Sequence, residues 1–254
     1  MENRKIKILF VTQEDPFYIR LFFEEFFANR PPAFEVSGVV ICPTLARKST
    51  LGLARKMFSF YGPFDFSRMV LRYLSAKLTK ASIESVCAQA GTAVYRRERI
   101  NTPEFITRWG KCGIDVIVSI AAPQIFGKEL LEVPRWGCLN IHHAPLPFYR
   151  GMMPNFWQVF HGEKEVGITV HRMNERIDEG RILLQRLIPV EAGEPLDGLI
   201  KRTKRSGAHC MIEALQMIRE DRVVYKENPA EGSYFSFPTA ADVAAFRKKG
   251  YRLI

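Results

Sequence analysis

An α/β fold with a Rossmann-like, largely parallel sheet flanked by helices is predicted by three features of this sequence. Short apolar runs that suit buried strands alternate with segments of helical apolar spacing through most of the first half. Several of those runs, such as 5–11 and 115–120, are nearly continuous in apolar or β-branched residues, as parallel strands covered on both faces require. Polar residues then follow the strands at their carboxyl ends, where ligands of such sheets bind.

In chain order, 5–11 reads as a central strand and 17–28 as a helix stopped by Pro31 and Pro32. Residues 34–41 form the second strand. A change of pattern at 44–80 marks a basic, aromatic insertion, which Gly62 and Pro63 divide into two helices. Its character suits a packing surface or a subunit contact, as in a homodimer. Alternation resumes with a helix at 82–89, a strand at 92–95 and a helix opened by Thr102 as N-cap with Pro103 at its first position. A strand at 115–120, a short helix at 126–132 and a strand at 138–141 complete the βαβ rhythm. Two further strands, 167–172 and 181–189, meet at the turn Asp178-Glu179-Gly180, and a long helix covers 196–220. The expected organisation is one catalytic domain over 1–225 and a short C-terminal extension over 226–254, with a helix at 240–248.

The 254 residues suffice for a sizeable core, and 47% hydrophobic with 25% charged residues is an ordinary globular balance. No run of eighteen apolar residues exists, so no membrane span and no membrane partner is expected. Gln13, Glu14 and Asp15 follow the first apolar run without a cleavage site, which makes that run a strand and not a signal peptide. Five scattered cysteines without a C-x-x-C pair suit reduced thiols in the cytoplasm. The net charge of +10 favours an anionic ligand. No glycine-rich nucleotide fingerprint follows the first strand.

Chemistry concentrates between Leu139 and Gly180. Asn140 and His142 stand two residues apart at a strand end and therefore share one face. Thr169 and His171 do the same on a later strand, with Asp178 in the next turn. His143 points away from His142 and is expected to be structural or solvent-facing. An amide donor, an imidazole and a carboxylate converging on one crevice suit acyl transfer without a covalent enzyme intermediate. The same histidines with Asp178 could also be read as metal ligands, but Asn140 has no place in that scheme, so no metal is expected.

The stretch Asn140-Ile141-His142-His143-Ala144-Pro145-Leu146-Pro147, then Tyr149-Arg150-Gly151 and Asp178-Glu179-Gly180, resembles the core of the 10-formyltetrahydrofolate-dependent formyltransferases. The resemblance implies that Asn140 and His142 stabilise an oxyanion and that Asp178 assists proton transfer. It further implies a pterin pocket at Gln124, Ile125 and Phe126, formed in part by main-chain groups. Beside the resemblance, Arg150, Gly151 and His171 are expected on the acceptor side, with a simple turn at Arg150-Gly151 and packing at a strand end for His171 as the alternatives. The donor it implies is 10-formyltetrahydrofolate. Two departures narrow the acceptor. Thr12–Pro16 replaces a glycine-rich phosphate loop, against a purine substrate, and the short segment after the long helix speaks against transfer RNA. What remains is the amine of a small metabolite, led by an amino-sugar nucleotide. Formyltetrahydrofolate hydrolysis, or an idle protein binding RNA or membrane through 44–80, are the rival readings.

Overall fold

The computed structural model describes residues 5–43 and 50–254. The opening of the basic insertion, with Arg47 and Lys48, lies outside the described residues. The strands β1 (Ile6–Gln13), β2 (Phe34–Cys42), β3 (Val94–Arg96), β4 (Val116–Ile120), β5 (Cys138–His142), β7 (Glu165–Arg172) and β8 (Ile182–Pro189) form one sheet. Their order is β3-β2-β1-β4-β5-β7-β8. The pairs from β3 through β5 are parallel, whereas β5 with β7 and β7 with β8 are antiparallel. The largely parallel sheet is thus present, with an antiparallel edge.

Burial on both faces explains why β1 is unbroken in apolar residues over 8–11. Ile8 and Phe10 enter one core, with Phe22, Phe23 and Phe26 of α1 (Ile19–Asn29). Leu9 and Val11 enter the other, against Phe105 and Trp109 of α4 (Pro103–Lys111) and Leu130 of α5 (Lys128–Glu132). Phe10 meets Phe26 edge to face at 4.9 Å, a geometry that favours aromatic pairs. α1 starts two residues later than its apolar spacing predicts, because Asp15 Oδ1 accepts the N–H groups of Phe17 and Tyr18 and holds them in a turn. The predicted cap holds at α4, through Thr102, and Ser82, read as the first helical residue, is instead the N-cap of α3 (Ile83–Gln89).

The described part of the insertion, α2 (Thr50–Leu78), is two helices meeting at Gly62, as its sequence predicts, and the φ of 71° there is open to glycine but costly for other residues. On the first core face lie α6 (Pro154–His161), α7 (Leu196–Arg219) and α8 (Ala240–Lys248), and Phe246 of α8 stacks on Phe156 of α6 at 4.7 Å. Residues 226–254 pack tightly against the rest: Val243, Phe246 and Leu253 are buried in the first core. A two-residue parallel ladder, unforeseen in the sequence, joins β6 (Arg150–Gly151) to β9 (Tyr234–Phe235).

Candidate active site

Strand registry gathers the polar cluster. β5 places Asn140 opposite His171 and His142 opposite Thr169 of β7. Asp178, in the left-handed region at φ 55°, turns its carboxylate back towards Asn140, His142 and His171. Asn140 Nδ2 donates to His171 Nε2 at 3.1 Å and lies 3.4 Å from Asp178 Oδ1. His142 Nδ1 is 3.5 Å from Asp178 Oδ2, and His171 Nε2 is 3.7 Å from its Oδ1. Asn140, His142 and Asp178, expected to converge on one crevice, are therefore brought together, and His171 joins them.

Tautomers follow from the acceptors. The Tyr149 carbonyl, 2.8 Å from His142 Nε2, can only accept, so that nitrogen carries a proton and Nδ1 is the titrating atom. His171 accepts from Asn140 at Nε2, and its Nδ1–H faces the Arg172 carbonyl at 3.3 Å. Burial drives the pKa of His142 below the usual histidine value. The Asp178 carboxylate and the Tyr149 carbonyl oppose the shift, and the charge of Lys204 reinforces it. Burial alone would raise Asp178. The facing imidazole of His142, His171 and the N–H of Gly151 outweigh it and hold the carboxyl at about 2. The resting state is an ionised carboxylate beside a neutral imidazole.

The three residues expected on the acceptor side are turned onto the framework of the site instead. Gly151 gives its N–H to Asp178 Oδ2 at 3.0 Å. His171 is 2% exposed and receives the Asn140 amide. Arg150 is 6% exposed, and its guanidinium donates to the carbonyls of Ala230 and Pro229, at 3.0 and 2.7 Å, and to Asn228 Oδ1. For Arg150 the physical reason is the segment 226–236, where the carbonyls at 229 and 230 and the Asn228 side chain take up its terminal guanidinium donors, while Nε has no hydrogen-bond partner among the described residues.

That segment supplies residues that sequence reasoning missed. Asn228 Nδ2 donates to the carbonyls of Asp178 and Gly180, at 2.9 and 3.0 Å. Ser233 receives the Tyr149 N–H on its hydroxyl and the Arg150 N–H on its carbonyl. No local pattern announces such bonds, because their partners stand fifty to eighty residues away. Thr169 braces the Ala144–Pro147 turn by donating to Ala144 O at 2.6 Å and accepting from Leu146 N–H.

At the expected pterin pocket, Gln124 spends its side chain on Glu98 O and Ile100 N–H. Phe126 is 1% exposed and belongs to the second core, so its side chain faces no ligand. Ile125 is 59% exposed, and its carbonyl is held by Asn101 Nδ2 at 2.8 Å. His143 is not solvent-facing. Its ring is buried against α7, Nδ1 stands 3.5 Å from Lys204 Nζ, and Nε2 has no hydrogen-bond partner. Burial pushes the thiols of Cys42 and Cys87 up to about 12, so neither offers a thiolate. Among the described residues no group of three or more His, Cys, Asp or Glu is placed to hold a metal ion.

Sheet order and site together define a doubly wound α/β protein with an amide, an imidazole and a carboxylate at the carboxyl edge of its strands. The chain belongs to the formyl transferase family, whose profile matches residues 71–215. It is 33% identical to the methionyl-tRNA formyltransferase of Ehrlichia ruminantium over 178 residues, covering 67% of this chain and 58% of that one. It is 35% identical to the enzyme of that name from Citrifermentans bemidjiense over 153 residues, 60% of this chain and 48% of that one. The chain thus spans about half the length of these curated relatives. Among solved structures, a glycinamide ribonucleotide transformylase from Symbiobacterium toebii superposes with a TM-score of 0.63 at 19% identity, over 89% of this chain and 93% of that one. A sugar N-formyltransferase from a Shewanella species gives 0.59 at 18%, over 91% and 77%. At these identities the two superpositions concern the fold.

Proposed function

We propose that this protein transfers a formyl group from 10-formyltetrahydrofolate to an amine, with Asn140, His142 and Asp178 as its catalytic residues. The observation that carries the reading is the convergence of Asn140 and His142 on one carboxylate, buried and pre-oriented at the sheet's carboxyl edge. Preorganised donors of this kind stabilise a developing oxyanion without reorganisation at the moment of reaction.

The amine nitrogen attacks the formyl carbon, and the carbonyl oxygen takes up negative charge. Of the two Asn140 amide protons, the one facing Asp178 at 3.4 Å is the less tightly held and is the one an incoming oxygen recruits. The proton released by the amine goes to His142 Nδ1, where the adjacent carboxylate stabilises the new charge. That Nδ1–H then assists the oxyanion. Collapse breaks the bond from the formyl carbon to the folate nitrogen, which departs with a proton returned by the pair. The folate ring would lie along the loop at 124–126. The exposed Ile125 side chain gives an apolar edge, and Asn101 and Gln124 keep the loop rigid.

For the acceptor, the amine of a small metabolite is the reading put forward, with an amino-sugar nucleotide first. The basic charge and the absence of a glycine-rich loop after β1 support it. Methionyl-tRNA belongs in the same panel, since curated relatives carry that activity in their names. The test is tetrahydrofolate release from 10-formyltetrahydrofolate with and without each amine. Release dependent on one amine supports the transferase and names its acceptor. Release of formate with no amine present replaces it with the hydrolase, and failure to bind folate removes the reading altogether.

A further inference from the structure

Helix α2 packs with its faces reversed. In an ordinary surface helix the apolar stripe faces the core and the charges face water. Here Leu78 is 85% exposed, Phe64 74%, Leu71 67% and Leu74 49%. Spacings of seven, three and four residues put these four on one side of the helix. The opposite side meets the protein through buried Met69 and through ion pairs. Arg72 reaches Asp197 at 2.7 Å, and Asp65 receives Arg247 at 2.9 Å. Arg72 and Asp65 are engaged inward, and an apolar stripe about 21 Å long, at 1.5 Å per residue, is left outward.

The charge around the stripe selects its occupant. Arg55, Arg68, Lys77 and Lys80 are exposed along the helix and its end. Asp65 is the sole acidic residue between positions 50 and 80, and it is engaged by Arg247 at 2.9 Å and more loosely by Arg68 at 3.7 Å. A second copy laid stripe to stripe would bring these cations onto one another, with no carboxylate between 50 and 80 left free to pair them. A nucleic acid would match the cations but leave the leucines against phosphates. An anionic bilayer surface matches both, with apolar side chains in the acyl boundary and cations at the headgroups.

We propose that the outer face of α2 seats the protein on an anionic phospholipid surface, with Phe64, Leu71, Leu74 and Leu78 entering the boundary. This departs from the expectation of no membrane partner, which rested on the lack of a long apolar run. Among the described residues no helix is long and apolar enough to cross a membrane, so the contact is peripheral. It does not depend on the acceptor or on the catalytic roles above.

The experiment is flotation of the full chain with vesicles of equal phosphatidylcholine and phosphatidylglycerol, against vesicles of phosphatidylcholine alone. The expected result is about tenfold or greater enrichment on the anionic vesicles, weakened by salt. Leu71→Glu with Leu78→Glu should abolish it while circular dichroism and folate turnover stay unchanged, since both side chains point away from the protein. No enrichment on anionic vesicles overturns the proposal. So does a concentration-dependent dimer split by the same double variant, which would assign the stripe to a second copy. Binding to RNA in place of vesicles overturns it equally.

Discussion

His142 and Asp178 face each other at 3.5 Å, each under a tenth exposed, with the imidazole's other nitrogen fixed by the Tyr149 carbonyl. One proton added between them turns a carboxylate beside a neutral ring into a buried ion pair. The pair therefore works as a unit, and removing the carboxylate's charge should disable it without unfolding the chain. Asp178→Asn keeps the volume and the contact with the Gly151 N–H. Tetrahydrofolate release should fall by about a hundredfold to ten-thousandfold, the usual worth of a positioned acid–base group. Near-normal turnover in this variant would remove Asp178 from catalysis.

Lys204 acts on the same pair from across β5. Burial lowers its pKa to about 8, opposed by Asp15, so it is charged at neutral pH, 3.5 Å from His143. Its charge is one of the causes that depress His142. In the proposed transfer His142 must be unprotonated at Nδ1, so the rate should fall as pH drops through the depressed pKa. Lys204→Met removes the cation and lets that pKa rise, and the acid limb of kcat against pH should move to higher pH. An unmoved limb would show that Lys204 is electrostatically silent at the site.

Much of this site could be read from residue spacing, and the part that could not has a common cause. Asn140 and His142 share a face because strand periodicity is two, and the Thr102 cap and Gly62 break are equally local signals. Arg150 was legible as a chemical type but not as a contact. Its partners are main-chain carbonyls at 229 and 230, which carry no side-chain signature. The outward stripe of α2 shows the same limit. Apolar periodicity gives the helix, but only the ion pairs to Asp197 and Arg247, made by chain-distant residues, decide which side faces in.

Asn228 converts the C-terminal segment into part of the site's framework. Its amide holds the carbonyls of Asp178 and Gly180, the two ends of the turn that aims the carboxylate. Asn228→Ala leaves both carbonyls without that donor, at a cost of about 1–3 kcal/mol. Because the turn then wanders, kcat should drop about tenfold to a hundredfold with little change in KM for folate. Asn228→Gln, which keeps the amide, should recover part of the rate. Equal losses of stability and unchanged kcat in both variants would make Asn228 a purely structural brace.

Gly151 is the tightest point of that framework. Its φ is 91°, its N–H orients Asp178 Oδ2, and a Cβ there would collide with the Phe235 carbonyl across the β6–β9 ladder. Gly250 has nearly the same φ, 89°, yet nothing within 4 Å of an added Cβ. The two positions therefore separate backbone strain from collision. Gly250→Ala should cost about 1 kcal/mol or slightly more of stability through conformation alone, with normal turnover. Gly151→Ala must in addition push the two strands apart, and with them the N–H that helps keep Asp178 ionised. Its melting temperature should fall further than that of Gly250→Ala, and tetrahydrofolate release should drop at least about tenfold. If the two variants lose equal stability and both turn over normally, the β6–β9 contact does not position the carboxylate.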